Sequence, residues 1–382
     1  MEYRILGNTG LSVSVIALGC EGFIGKKEEQ VCSEMDFAIS KGINFIDLYS
    51  SNPELRSHIG KALSGHRQDF IIQGHLCATW ENDQYLRTRN IEKTLASFED
   101  QMTRLQTDYL DIGMIHYVDS EQDLQDIFDG PIIQLALRLK QEGRIRYIGL
   151  SSHNPAVALL AVKSGLIDVL MFSINPCYDL QPPSENVDDL WADENYERPM
   201  RNIAPERERL YELCEKRGVG LDVMKVYGGG DLLSEKNSPF GKAMTPVQCL
   251  EYALTRPGVD AVMVGCKSCE EIQAAVNWCV ATKEEKDYTQ VMSGMDKFSW
   301  QGHCMYCGHC APCSVGIDIA SVNKYYNLTN AQDEIPETVR EHYKVLTHHA
   351  SECIGCGQCE ANCPFGVSII QQMQMAVERF GY

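Results

Sequence analysis

From about Val15 to Val280, short apolar runs alternate with stretches whose apolar residues recur at a helical period. The runs are Ile16–Leu18, Phe45–Leu48, Phe70–Gln73, Tyr109–Ile115, Ile145–Leu150, Val169–Ile174, Gly220–Met224 and Ala261–Val264. They have strand length and suit strands buried on both faces. Between them, Ile91, Leu95, Phe98, Met102 and Leu105 follow a period of about 3.6 residues, as do Val31, Met35, Ala38 and Ile39. Eight strands alternating with helices over about 270 residues predict an α/β fold, the (β/α)8 TIM barrel. A doubly wound open sheet fits the same count, but no G-x-G-x-x-G follows the first strand.

Tyr3–Ile5 and Leu11–Ser14 flank Gly7-Asn8-Thr9-Gly10, a hairpin signal. In a barrel such a hairpin plugs the bottom. An irregular insertion runs from Asp179 to Pro205, and its Ser184–Glu197 stretch has six acids and no base. It follows strand six, so it reads either as a solvated loop or as a lid on the mouth. Glu284–Met295 reads as one more helix. Barrel helices run from mouth to bottom, so this helix is expected to carry the chain back up and set the cysteine-rich tail near the mouth. The expected division is a barrel over 1–283 and a small helical ferredoxin-like domain over 284–382.

Apolar residues make up 44% of the chain, enough for a sizeable core. The start MEYRILGNTGLSV lacks a cationic flank with a long apolar run, which argues against a signal peptide. No stretch approaches the roughly 20 apolar residues of a membrane span. A net charge of −19 disfavours nucleic acid and anionic membranes. The expectation is a soluble cytoplasmic protein.

Seventeen cysteines in a chain of 382 residues do not suit a small secreted disulfide scaffold. Nine of them (Cys20, Cys32, Cys77, Cys177, Cys214, Cys249, Cys266, Cys269, Cys279) are scattered and read as small buried apolar residues. The other eight form two runs, Cys304-x2-Cys307-x2-Cys310-x2-Cys313 and Cys353-x2-Cys356-x2-Cys359-x3-Cys363-Pro364. The second is the bacterial ferredoxin signature, so two [4Fe–4S] clusters are expected. In two-cluster ferredoxins the fourth cysteine of each run ligates the other cluster. On that pattern Cys304, Cys307, Cys310 and Cys363 hold one cluster, and Cys353, Cys356, Cys359 and Cys313 the other. A zinc ribbon needs two C-x2-C pairs rather than two triplets with a following cysteine. The first run departs from the signature, with x2 before Cys313.

Several further signatures occur in order: Tyr3-Arg4-Ile5-Leu6-Gly7-Asn8-Thr9-Gly10, Asn44-Phe45-Ile46-Asp47, Asp108-Tyr109-Leu110-Asp111, His116, Gly143-Arg144-Ile145-Arg146-Tyr147-Ile148-Gly149-Leu150-Ser151 and Met224-Lys225. With them, nearly the whole chain resembles the aldo/keto reductase family, in its bacterial branch with a C-terminal ferredoxin-like domain. The resemblance implies a nicotinamide cofactor, NADP(H) or NAD(H), and hydride transfer to a carbonyl. It also implies a tyrosine proton donor, a lysine that lowers the tyrosine's pKa, an aspartate paired with that lysine, and a histidine that orients the carbonyl. By motif, Asp47 takes the aspartate position and His116 the histidine position. The tyrosine position is Asn52 and the lysine position is His75. An amide cannot serve as a proton donor that regenerates near neutral pH, so His75 and His116 become the candidate proton carriers. Tyr49, on the same loop as Asn52, is a third. His75 also admits a plainer reading, a hydrogen-bonded histidine at a strand end.

The resemblance further implies cofactor contacts. Ser151 and Ser152 match the pair that holds the carboxamide, with Ser152 in place of asparagine, and Asn175 replaces a glutamine of the same purpose. Lys225 and Gly228 to Gly230 follow strand seven, where pyrophosphate contacts lie. Gly265, Lys267 and Ser268 follow strand eight, a phosphate-friendly position. Lys267 is there to meet a 2′-phosphate or only solvent. Ala274 and Ala275 stand where an acid and an asparagine usually meet adenine. Three functions follow: a redox enzyme whose clusters deliver electrons to a small-molecule site, an NADPH-dependent reductase with structural clusters, or a degenerate barrel serving as an electron carrier. In the first, a flavin, two clusters in sequence or radical chemistry reconciles hydride with single electrons. A ferredoxin- or flavodoxin-type redox protein is the expected partner.

Overall fold

In a computed structural model, the chain is described at all residues except 83, 191, 193–194, 196–199, 294–297, 300–301, 331–334 and 336. Eight parallel strands close a barrel in chain order: β1 (Ile16–Gly19), β2 (Phe45–Leu48), β3 (Ile71–Leu76), β4 (Leu110–Ile115), β5 (Ile145–Ser152), β6 (Val169–Ser173), β7 (Gly220–Met224) and β8 (Val259–Gly265). Around them run α1 (Glu28–Ser40), α2 (Pro53–Ala62), α3 (Ile91–Leu105), α4 (Glu121–Phe128), α5 (Pro131–Gln141), α6 (Pro155–Ser164), α7 (Pro205–Arg217), α8 (Pro246–Leu254) and α9 (Cys269–Val276). Five of these helices begin with proline in their first turn, where its missing N–H costs nothing and its fixed φ is already helical.

Alternation along the strands divides the core in two. Ala17, Phe45, Ile71, Ile112, Met114, Val169, Met171, Ala261 and Met263 pack together inside the barrel with Leu6 and Val13 of the N-terminal hairpin. Their alternates, such as Ile16, Leu18, Ile46, Leu48, Ile72 and Ile115, pack against the helices. The hairpin Tyr3–Ile5/Ser12–Ser14 closes the bottom as expected. Its turn residue Gly7 has φ +49°, and a Cβ there would lie 2.3 Å from the Gly220 nitrogen at the foot of β7.

The extra helix expected over Glu284–Met295 is two short ones, α10 (Lys283–Lys286) and α11 (Thr289–Met292); residues 294–295 lie outside the described residues. The break has a cause. Asp287 Oδ1 accepts the Thr289 N–H at 2.9 Å, while Tyr288 turns inward and donates its hydroxyl to the Met305 carbonyl at 2.7 Å. Of the Asp179–Pro205 insertion, Asp179, Leu180 and Gln181 are buried, and Met200–Arg201 pairs in parallel with Phe298–Ser299.

The cysteine segment also departs from expectation. It continues through α12 (Ile319–Asn330), α13 (Glu337–Lys344), α14 (Gln358–Asn362) and α15 (Ile369–Phe380). Its ties run down the flank of the barrel: His303 to Glu208 at 3.0 Å and His342 to Glu215 at 3.9 Å, both on α7, and Met305 to Arg256 just after α8. The turn at Tyr288 keeps the chain on the α7–α8 seam instead of returning it to the mouth.

Candidate functional site

Inward parity decides which polar residues meet inside the barrel. Asp47 is two residues beyond Phe45, Gln73 and His75 are two and four beyond Ile71, and His116 is two beyond Met114, so all four side chains share the interior face at the mouth end. His75 Nε2 lies 2.9 Å from Asp47 Oδ1, and His75 Nδ1 lies 2.7 Å from His116 Nδ1. Gln73 Nε2 donates to the same Asp47 oxygen at 3.0 Å. The structure therefore joins Asp47, His75 and His116 in one buried chain of hydrogen bonds.

Two facing Nδ1 atoms share a single proton, which sets the chemistry. In one state His75 carries both N–H groups, donates to Asp47 and to His116, and is charged beside the carboxylate. His116 is then neutral with its proton on Nε2. Giving up that Nε2 proton draws the shared proton onto His116 Nδ1 and leaves His75 neutral. His116 stays uncharged in both states. That agrees with its surroundings, since burial and then the neighbouring His75 hold it well below the usual histidine range.

Tyr49 lies parallel to the His116 ring, with centroids 5.7 Å apart, and donates its hydroxyl to Glu21 Oε1 at 2.5 Å. Burial and then Glu21 push its phenol far up, so it is a poor proton donor. Asn52 is placed differently. It caps α2, its Oδ1 accepting the Leu55 N–H at 2.8 Å, and among the described residues no hydrogen bond joins it to either histidine.

Three groups at this site were not singled out from the sequence. After β3 an antiparallel hairpin, Ala78–Glu81 with Gln84–Arg87, brings Tyr85 edge-on to His116 at 5.7 Å. Past β5, His153 Nδ1 meets Asp119 Oδ2 at 2.9 Å, and its ring lies 5.3 Å from Tyr117. Asp222 sits fully buried on β7 beside Gln73, and burial followed by nearby Asp47 raises its pKa well above the carboxylate range. An acid in the middle of an apolar strand was the available signal for Asp222. His153 directly follows the Ser151-Ser152 pair, but its acidic partner comes from another strand end.

The residues matched to nicotinamide binding are already engaged. Ser152 Oγ donates to Asp119 at 2.9 Å and accepts from the Asn154 N–H at 3.1 Å. Asn175 Oδ1 accepts the N–H groups of Cys177 and Tyr178, each at 2.9 Å, while Nδ2 donates to the Lys225 carbonyl at 2.9 Å. Ser151 Oγ accepts from the Tyr117 N–H at 2.8 Å and keeps its own proton free to donate. Gly265 is exposed at the end of β8, Lys267 gives its N–H to Glu271 at 2.7 Å, and Ser268 caps α9. A carboxamide thus finds the Ser151 hydroxyl and one Asn175 N–H, and a phosphate at the start of α9 meets Glu271 before it meets the backbone. The fit to a nicotinamide dinucleotide is partial.

The cysteines assemble across the two runs. Cys313, Cys353, Cys356 and Cys359 line one cavity. Cys363 lies close enough to Cys304, Cys307 and Cys310 to disfavour their ionisation, although burial is the larger influence on each; Cys307 is pushed up to about 11 and Cys310 up to about 12. Tyr306, Gly308, Gly355 and Gly357 all have positive φ. These turns aim the amides of Tyr306, His309 and Gln358 at the sulfurs of Cys304, Cys307 and Cys356. The sets differ in exposure. Cys304 is half-buried and takes an amide hydrogen bond from Asn323 at 3.5 Å, whereas Cys356 is exposed and lies 3.4 Å from Ser314 Oγ, which lowers its pKa. Among the described residues no three acidic, histidine or cysteine side chains converge on a single metal ion. Four thiolates spread around a cube stand farther apart than ligands of one ion, and the crossed sets with inward amides fit such a cube.

Comparison with known proteins resolves the lineage. The family profile "Aldo/keto reductase family" matches residues 16–248, well over half of the chain. The chain belongs to the aldo/keto reductase family. A second profile, "4Fe-4S dicluster domain", matches residues 300–367, so this aldo/keto reductase-type oxidoreductase carries a C-terminal iron–sulfur domain. The chain is 28% identical over 306 residues to "Uncharacterized oxidoreductase YqkF" of Bacillus subtilis, spanning 75% of this chain and 94% of that protein. It is 30% identical over 183 residues to "L-galactose dehydrogenase" of Arabidopsis thaliana, spanning 45% of this chain and 56% of that protein. Among solved structures it resembles the holo form of the aldo-keto reductase AKR11C1 from Bacillus halodurans, with a TM-score of 0.59, 27% identity and coverage of 75% and 94%. Among the described residues, no helix of this aldo/keto reductase is long and apolar enough to cross a membrane.

A pH dependence follows from the depressed His116. The unfolded chain binds a proton at this side chain below about pH 6.5, while the folded state does not. Its contribution to stability is therefore complete above the unfolded pKa and is lost as the pH falls toward the folded one. Between pH 7 and 5, His116→Gln is expected to lose less stability than the native chain in urea titrations at each pH.

Proposed function

We propose that the chain is an iron–sulfur oxidoreductase that acts on a small carbonyl or hydroxyl compound at the barrel mouth, with two [4Fe–4S] clusters held by the crossed cysteine sets. The barrel then occupies 1–283 and the cluster domain 284–382. The single observation that carries this reading is the Asp47–His75–His116 chain, a proton store positioned where the family reduces carbonyls. On the family's motif, Asn52 and His75 stand in place of the tyrosine and lysine. The proton is then exchanged with the substrate oxygen at His116 Nε2, and the negative charge left behind rests on Asp47 beside a neutral His75. Tyr49 and Tyr85 wall the site, Asn52 holds the loop between them and α2, and Asp222 beneath stays neutral, so it adds no second negative charge to Asp47.

When bound, the clusters supply or accept electrons one at a time. The exposed Cys356 and Ile354 mark the edge at which a ferredoxin- or flavodoxin-type partner would hand electrons over. A nicotinamide, if bound, would supply hydride and would rely on Ser151, Asn175, Lys225 and Lys267. The test is Cys356→Ser in anaerobic turnover. With a reduced viologen as donor, carbonyl reduction is expected to be lost in the variant. If NADPH drives native and variant proteins at equal rates, the clusters are structural and the reading fails.

A further inference from the structure

Arg256 is fully buried between α8 and β8. Its Nε donates to the Tyr252 carbonyl at 3.0 Å, and its Nη2 reaches Thr255 Oγ1 at 3.1 Å, the Tyr288 hydroxyl at 3.2 Å and the Met305 carbonyl at 2.5 Å. The guanidinium lies over two rings, 4.5 Å from the Tyr252 centroid and 5.2 Å from that of Tyr306. Nη1 has no hydrogen-bond partner, and among the described residues no carboxylate comes within ion-pair distance of this side chain. Every other contact is to a neutral group.

A guanidinium cannot shed its charge, and a buried charge without a counter-charge is costly. Met305 and Tyr306, which Arg256 holds, are the two residues between Cys304 and Cys307. Asp179, a buried carboxylate whose charge reaches Arg256 past Tyr252, is already paired with Arg207 at 3.6 Å. The Cys304 thiolate lies within reach of the same guanidinium, and negative charge at its cluster grows on reduction. We propose that the guanidinium of Arg256 is the charge partner of the cluster held by Cys304, Cys307, Cys310 and Cys363, and that it favours that cluster's reduced form. The inference rests on the two-cluster reading above. It makes Arg256 a positioning residue, since it fixes the ligand loop and sets the energy of an electron without touching substrate.

The test is an anaerobic potentiometric titration of the holoprotein followed by electron paramagnetic resonance, with Arg256→Lys, Arg256→Gln and Arg256→Met beside the native chain. In the neutral variants, reduction of the Cys304 cluster is expected to become about tenfold less favourable, which is about 59 mV for one electron. The lysine variant stays near the native potential, and the exposed cluster, unchanged in all proteins, serves as internal reference. Loss of the Cys304 cluster from both neutral variants, with retention in the lysine variant, supports the same charge pairing. Unchanged potentials in the neutral variants, or a lysine variant that behaves as they do, would overturn it. A native protein without two reducible clusters would instead fail the underlying reading, before any variant is measured.

Discussion

Replacing His116 with alanine slows turnover by about 10²–10⁴-fold, the range set by losing a positioned proton carrier. The substitution leaves Asp47 and His75 bonded to each other at 2.9 Å, so a proton can still be stored, but its only exit from that chain toward substrate is gone. The loss is expected in kcat rather than KM, because the proton moves in the transition state while substrate binding rests on the aromatic wall. His75→Ala should resemble it, since His116 then loses its only proton source in the chain. Asp47→Asn should cost less and shift the pH profile, because the amide no longer stabilises a charged His75. Steady-state kinetics across pH 5.5–8.5 on any carbonyl compound that the native chain reduces would check these expectations. Native turnover in His116→Ala would show that the proton comes from another group, and His153 with Asp119 is then the nearest alternative.

Much of this site was readable in the chain because strand parity is strict. Phe45 and Asp47, Ile71 and His75, Met114 and His116 stand two or four residues apart, so apolar neighbours that must face inward carry the polar residues with them. The barrel was readable for the same reason: eight apolar runs can be buried on both faces only under a shell of helices, and observed ends differ by a few residues where the ladder, not hydropathy, ends a strand. Other features depend on contacts between distant segments. Tyr85 lies on a hairpin outside the eight apolar runs, and the His153–Asp119 pair needs the ends of β4 and β5 side by side. The break at Asp287 and the position of the cysteine segment depend on Tyr288 and Arg256 meeting the Met305 carbonyl. No periodicity records that seam.

Cys363→Ser is expected to remove the cluster of the first cysteine run rather than that of its own run. The basis is proximity: Cys363 stands by Cys304, Cys307 and Cys310, while Cys313 lines the cavity of Cys353, Cys356 and Cys359. Serine is a poor ligand for this cluster, so iron in anaerobically prepared protein should fall from about eight to about four atoms per chain. The surviving cluster is the one that includes the exposed Cys356, and aqueous chelators should bleach it quickly. Cys313→Ser should give the same iron count with the opposite character, a cluster whose four thiols are all half-buried and which bleaches more slowly. If Cys363→Ser leaves a slowly bleaching cluster, each run ligates its own cluster and the crossed assignment is wrong.

On this mechanism, electrons reach the barrel site through the clusters while the histidine chain handles the proton. It is tested most directly by reducing the protein chemically without oxygen, removing excess reductant, and following the visible absorbance of the clusters as a carbonyl compound is added. Return of the oxidised colour in step with alcohol formation, in the native protein and far more slowly in His116→Ala, is the predicted result. Clusters that stay reduced while NADPH alone sustains product formation would contradict the claim.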